Sequence, residues 1–325
     1  MCGGATTGSH ARERQASRAA LVALAAATGA LGAWLVRVRR FYRVNHSLTG
    51  PHGTLRYLFQ VPPGHDLTRP SPLVVVLHGF LQSPGHQREM SRWDDLAARE
   101  GFLTVYPLGQ GIPPHWDAAD AGETPATRRQ VDAIAALIEH LASRYPIDPD
   151  RIYASGMSNG GGLVASLVLT LPDTFAAASS VSGLYTLAPE GPAVPRPVPL
   201  IAFHGALDRI IPISGGVRRL GRQVPDARDW LDGYARHCGC TASTTEDLGA
   251  CVRRTTWSGG RGDCEVVWYA FADGGHTWPG GVPLPEVITG PTLAEPDATR
   301  LSWEFFQRHP RSTDADVRGP SAPRA

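Results

Sequence analysis

Three observations predict an α/β fold with a mostly parallel central sheet flanked by helices. Short continuous apolar runs, such as Leu73-Val74-Val75-Val76-Leu77, suit strands buried on both faces. These runs alternate with segments of helical periodicity, such as Val131 to Tyr145. His78, Ser158, Asp208 and His276 each follow a strand candidate, and in parallel sheets functional residues sit on loops beyond the carboxyl ends of the strands.

Taken in order, Thr54 to Val61 reads as an early strand whose apolar pattern is broken by Arg56, and Pro62 to Pro72 as a polar connection. The run 73–77 leads straight into His78-Gly79-Phe80. Trp93 to Arg99 is helical in pattern, with Trp93 at a core position, and Phe102 to Tyr106 is a short strand stopped by Pro107. The stretch from Gly109 to Thr127 is irregular. Val131, Ile134, Ala135, Ile138 and Leu141-Ala142 share one helix face, and Pro146 and Pro149 end that helix. Phe175 to Val181 and Pro199 to Phe203 are further strands, with a proline-rich loop over 185–197 between them. Ala227 to Arg236 is a helix, Arg253 to Trp257 and Val266 to Phe271 a strand pair, and Ala298 to Phe306 a final helix.

The chain of 325 residues has room for one large domain or two small ones, and its 42% hydrophobic content suffices for a core. A net charge of +1 speaks against nucleic acid as a partner. The uncharged run Ala19 to Val36 lies between Arg12, Arg14, Arg18 and Arg37, Arg39, Arg40, Arg43, the pattern of a signal peptide or signal anchor, with small-residue cleavage positions after Ala27, Ala30 or Ala33. The expected organisation is therefore a basic N-terminal segment over 1–45, a catalytic domain over 46–310 and a disordered tail over 311–325. Any membrane association would run through the N-terminal segment. Cys2 stands alone, whereas Cys238, Cys240, Cys251 and Cys264 cluster; without a paired C-x-x-C arrangement they point to two disulfides rather than zinc. A Cys238–Cys240 bridge would be strained, which favours Cys240–Cys264 with Cys238–Cys251.

The chemistry concentrates in Ile152-Tyr153-Ala154-Ser155-Gly156-Met157-Ser158-Asn159-Gly160-Gly161-Gly162. An apolar run entering Gly-x-Ser-x-Gly, followed by a helical segment, has the form of a nucleophile elbow: the glycines remove side chains that would crowd the serine turn. A serine nucleophile needs a base, and the base needs an acid to orient it. Asp208, in His204-Gly205-Ala206-Leu207-Asp208, and His276, in Asp273-Gly274-Gly275-His276, follow Ser158 in the order acid then histidine. Asp273 is the rival acid, His204 a structural hydrogen-bonder, and His78 a support for the oxyanion loop. The backbone N–H of Asn159 is one expected oxyanion donor and that of Phe80 the other, with Leu81 as the fallback. Trp278 and Trp116 are candidates to wall a substrate pocket. Neither a metal cluster nor a dinucleotide fingerprint is present, and Gly160-Gly161-Gly162 lacks the lysine of a phosphate loop, so no cofactor is expected.

On Val74 through Gly79, Arg151 through Gly162, His204 through Asp208 with Pro212, and Gly274 through Gly280, the chain resembles the polyhydroxybutyrate depolymerase and feruloyl esterase family of α/β-hydrolases over about residues 50–308. The resemblance implies Ser158, Asp208 and His276 as a triad. It also implies an exported or membrane-tethered enzyme acting on carboxylic esters: hydroxyacid oligomers or hydroxycinnamates. Phe80-Leu81 stands where many relatives have a Cys or another small residue, and four clustered cysteines exceed the pair that members often carry. No polymer-binding module follows the domain, so soluble or oligomeric esters are the expected substrates. The alternative on the same fold is an acyltransferase.

Overall fold

The computed structural model describes residues 44–118, 124–186, 196–217 and 223–311. Of the expected N-terminal segment over 1–45, residues 1–43 lie outside these residues, as do 312–325 of the expected tail over 311–325 and most of the 185–197 loop. One ten-stranded sheet organises the body. Its strands are β1 (His46–Gly50), β2 (Gly53–Gln60), β3 (Ser71–Leu77), β4 (Leu103–Pro107), β5 (Ile147–Met157), β6 (Ala177–Val181), β7 (Leu200–Gly205), β8 (Ala242–Asp247), β9 (Val252–Ser258) and β10 (Val266–Phe271). They lie in the order β1-β2-β4-β3-β5-β6-β7-β10-β9-β8. Pairing is parallel from β4 through β10 and antiparallel at both edges.

The unbroken apolar run of β3 follows from its central position. Leu73, Val75 and Leu77 point into one core, Val74 and Val76 into the other. The first core is closed by α3 (Pro125–Ala142), α4 (Asn159–Thr170) and α5 (Ala227–Cys238), through residues such as Ile134, Leu163 and Trp230. The second is closed by α1 (Pro84–Ser91), α2 (Trp93–Glu100) and α7 (Ala298–Arg308), where Trp93, Tyr153 and Phe306 stack with ring centroids 5.8 and 4.6 Å apart. The short α6 (Glu286–Thr289) precedes α7. Capping defines several helix starts: Thr124 accepts from Thr127 N–H ahead of Pro125, and Asp297 accepts from the Thr299 and Arg300 N–H groups. Arg311 is tied to Asp150 through its main-chain N–H and its guanidinium. Among the described residues no helix is long and apolar enough to cross a membrane.

Strands β8 and β1 and helix α1 are among the elements that escape the sequence pattern. β8 is exposed at every position and reads Ala-Ser-Thr-Thr-Glu-Asp, so it has no apolar alternation to find. β1 is an exposed edge strand that pairs with β2 across a tight turn. α1 has few apolar residues and starts from the Ser83 cap, a polar signal inside what reads as loop.

The elbow places backbone against backbone. A Cβ on Gly160 would stand 2.3 Å from the Leu77 carbonyl oxygen at the end of β3, and one on Gly156 would stand 2.6 Å from the Gly160 carbonyl. Gly160→Ala is therefore expected to destabilise the protein by about 3 kcal/mol or more, as overpacking against immovable backbone does. Gly50→Ala, where a Cβ meets nothing within 4 Å, should change stability by about 0.5 kcal/mol at most. Urea denaturation of the two variants checks the contrast.

Candidate active site

Ser158 lies between β5 and α4 with φ 53° and ψ −118°, a conformation that a residue with a side chain rarely adopts. Its N–H donates to Val181 O at 2.8 Å, which ties the turn to the end of β6. At this point the chain reverses into α4, whose first residue, Asn159, has a main-chain N–H free of any helical acceptor. Strain at one residue, relieved by glycines on both sides, lifts the serine side chain away from the sheet.

The acid and histidine loops follow β7 and β10, which are paired neighbours. Gly205 and Gly274 let their backbones touch, since a Cβ on Gly205 would stand 2.1 Å from Gly274 O. Two backbone bonds stitch the loops together: Ala206 N–H to Phe271 O at 2.7 Å and Leu207 N–H to Gly274 O at 2.9 Å. Asp208 Oδ1 then accepts from the Ile210 and Ile211 N–H groups, both at 2.8 Å. Its Oδ2 lies 2.7 Å from His276 Nδ1 and 3.3 Å from His204 Nε2. His204 Nε2 also lies 2.8 Å from the Ile211 carbonyl, an acceptor, so that nitrogen carries the proton. Burial works against ionisation of Asp208, but the hydrogen bonds and charges of His204 and His276 outweigh it. They hold the carboxyl well below the usual carboxylate range. An ionised Asp208 fixes the proton of His276 on Nδ1 and leaves Nε2 as a lone-pair base. The rival acid Asp273 is exposed and takes a hydrogen bond from the Cys251 thiol.

The loop after β3 is held from beneath. His78 is fully buried; Gly109 N–H donates to its Nε2 at 2.9 Å, so its Nδ1 carries the proton and donates to Gly79 O at 2.8 Å. Gly79 N–H is taken by Gln82 Oε1 and Leu81 N–H by Pro114 O, at 2.9 and 3.2 Å, which removes Leu81 as a fallback donor. Phe80 stands 53% exposed, and among the described residues nothing accepts from its N–H. Leu81 and, across the site loops, Leu207, Val287 and Ile288 are likewise exposed apolar side chains.

Three sequence expectations are corrected. Trp116 is not a pocket wall: it is buried, with its indole N–H on His78 O at 2.9 Å. Trp278 is 1% exposed and donates from Nε1 to Thr299 Oγ1 at 2.9 Å; it packs in the second core under α7. The bridges Cys240–Cys264 and Cys238–Cys251 are not formed, and the four described cysteines are free thiols. Cys251 sits exposed between β8 and β9, apart from the others, while the thiols of Cys238 and Cys264 meet beneath α5. Burial, together with neighbouring Cys238, pushes the Cys240 thiol up to about 11. Sequence reasoning missed Gln82 and Tyr185, whose hydroxyl accepts from Asn159 Nδ2 at 2.9 Å. Neither lies in a motif. A cavity of about 470 Å³ lies away from this site, lined by Arg69, Glu100, Arg151, Tyr153 and Trp303.

The family model described as Esterase PHB depolymerase matches residues 55–190. Residues 55–190 are thus similar to the esterases that this model describes. It is similar to feruloyl esterase C of Emericella nidulans, with 28% identity over 257 residues that cover 77% of this chain and 83% of that protein. It is also similar to poly(3-hydroxyalkanoate) depolymerase C of Paucimonas lemoignei, with 29% identity over 144 residues, 43% of this chain and 34% of the other. Among solved structures, an acetyl xylan esterase from Aspergillus awamori superposes with a TM-score of 0.57 at 16% identity, covering 81% of this chain and 98% of that one, a likeness of fold. The fold is that of the α/β-hydrolases, and the elbow lies within the residues matched to the family model.

Burial holds His78 down to about 4, below the ordinary histidine value, although its bond to Gly79 O works the other way. The unfolded chain takes up a proton near pH 6.5 that the folded esterase refuses, so this group's contribution to stability is present above pH 6.5 and is lost as pH falls towards 4. The loss amounts to about 3 kcal/mol across that window. Urea denaturation between pH 7 and pH 4 should show it, and His78→Asn should flatten that part of the slope.

Proposed function

We propose that this esterase hydrolyses carboxylic esters through an acyl-enzyme on Ser158. The observation that carries the reading is the 2.7 Å contact from His276 Nδ1 to a buried, ionised Asp208 on loops at the same end of the sheet as the strained serine turn. Ser158 Oγ attacks the ester carbonyl while His276 Nε2 takes its proton. The developing oxyanion is met by the N–H groups of Asn159 and Phe80. The C–O bond to the alcohol breaks and His276 returns the proton to the departing oxygen. Water then repeats the sequence: His276 takes its proton, the hydroxyl adds to the acyl carbon, and Ser158 leaves with the proton restored.

For substrates we propose soluble hydroxyalkanoate oligomers or hydroxycinnamate esters. Two features support this: the similarity to a feruloyl esterase and a poly(3-hydroxyalkanoate) depolymerase, and the exposed apolar residues Phe80, Leu81 and Leu207 on loops that carry site residues. We further propose residues 46–310 as the catalytic domain and export directed by the segment before it. The N-terminal run between arginines supports export. An acyltransferase uses the same triad with an alcohol in place of water, and product analysis in added alcohol distinguishes it.

Ser158→Ala is expected to lower kcat about 10⁶-fold and Asp208→Asn about 10⁴-fold, with the fold intact. Initial rates on methyl ferulate and on a 3-hydroxybutyrate trimer, with Ser158→Ala as blank, decide the acyl preference. Equal rates for wild type and the blank on both esters would refute the substrate assignment.

A further inference from the structure

We infer that Trp116 is a positioning residue that locks the two halves of the oxyanion hole together; the inference rests on the reading of Asn159 and Phe80 as the donors. Those donors come from separate segments, the loop after β3 and the first residue of α4. Trp116 bonds to both. Its indole N–H donates to His78 O at 2.9 Å. Its main-chain N–H donates to Asn159 Oδ1 at 2.6 Å, and its carbonyl accepts from Asn159 Nδ2 at 2.8 Å. One residue thus holds the peptide that opens the oxyanion loop and both polar atoms of the side chain beside the nucleophile.

The strut is itself anchored. Pro114 O accepts from Leu81 N–H at 3.2 Å. Asp117 exchanges two bonds with Gln130 of α3: its N–H reaches Gln130 Oε1 at 2.9 Å, and its Oδ2 accepts from Gln130 Nε2 at 3.0 Å. The indole lies 5.1 Å from the His78 ring and is 3% exposed, so it supports the site from behind and does not line it. Oxyanion donors work only when they are in place before charge develops, and a displacement of about 1 Å costs about 100-fold in rate. A residue that joins the two donor segments therefore governs the chemical step and leaves substrate binding alone.

Trp116→Phe keeps an aromatic ring against His78 and removes the indole N–H. The expected result is a fall in kcat of about 10- to 100-fold with KM within about two-fold. The rate at which a fluorophosphonate labels Ser158 should fall by the same factor, with the circular dichroism spectrum unchanged. Replacing Trp116 with benzothienylalanine, which keeps the shape without the N–H, should give the same result and serves if the phenylalanine variant does not fold. Wild-type kcat and labelling rate in either variant overturn the inference, as does a rise in KM at constant kcat, which would make Trp116 a binding residue. A wild-type protein that the fluorophosphonate does not label overturns the reading of Ser158 beneath it, an outcome separate from either variant result.

Discussion

The close approach of α4 to the end of β3 is the constraint on which the rest of the structure depends. The helix starts against the Leu77 carbonyl with no room for a side chain at Gly160. This contact forces the chain to reverse within one residue, and that residue is Ser158 at φ 53°. The strain is tolerable because β3 and β5 are buried in the centre of the sheet and cannot move apart. An edge strand would relax and release the turn. The strained residue therefore belongs beside the central strands, where packing on both faces determines the backbone.

Around that turn the protein buries polar groups and satisfies them with backbone. Asp208 takes four contacts, two from N–H groups of its own loop and two from imidazoles. Removing a carboxylate from water is costly, and only a complete shell of donors keeps it ionised. The glycine pair Gly205 and Gly274 makes the shell possible, because it lets the loops after β7 and β10 share hydrogen bonds at backbone distance. The same logic appears at His78, held neutral by burial, with one nitrogen donating and the other accepting.

The apolar side chains at this end of the molecule divide by depth. Trp116 and Trp278 are buried supports whose indole N–H groups find partners in the interior. Phe80, Leu81, Leu207, Val287 and Ile288 stand in solvent on loops and a short helix at the carboxyl ends of the strands. A buried indole is better accommodated when its N–H finds a partner, as both of these do. The residues left exposed have no polar tip to satisfy.

The sequence by itself determined the α/β class, the central strands, the elbow and the identities of Ser158, Asp208 and His276 as candidates. These rest on local signals: continuous apolar runs, helical periodicity, and glycines where a turn excludes side chains. Only the tertiary structure decided what depends on distance between segments. Trp116 and Trp278 read alike in sequence, yet one braces the site and the other fills the core under α7. The cysteines are close in sequence, but the turn between β8 and β9 carries Cys251 away from the rest. The second donor on Asp208, His204, sits four residues before it, and the curl of the loop after β7 brings the two side chains together. Sequence periodicity reports which face of an element is buried; it carries no record of which buried groups meet across the sheet, and those meetings set the chemistry.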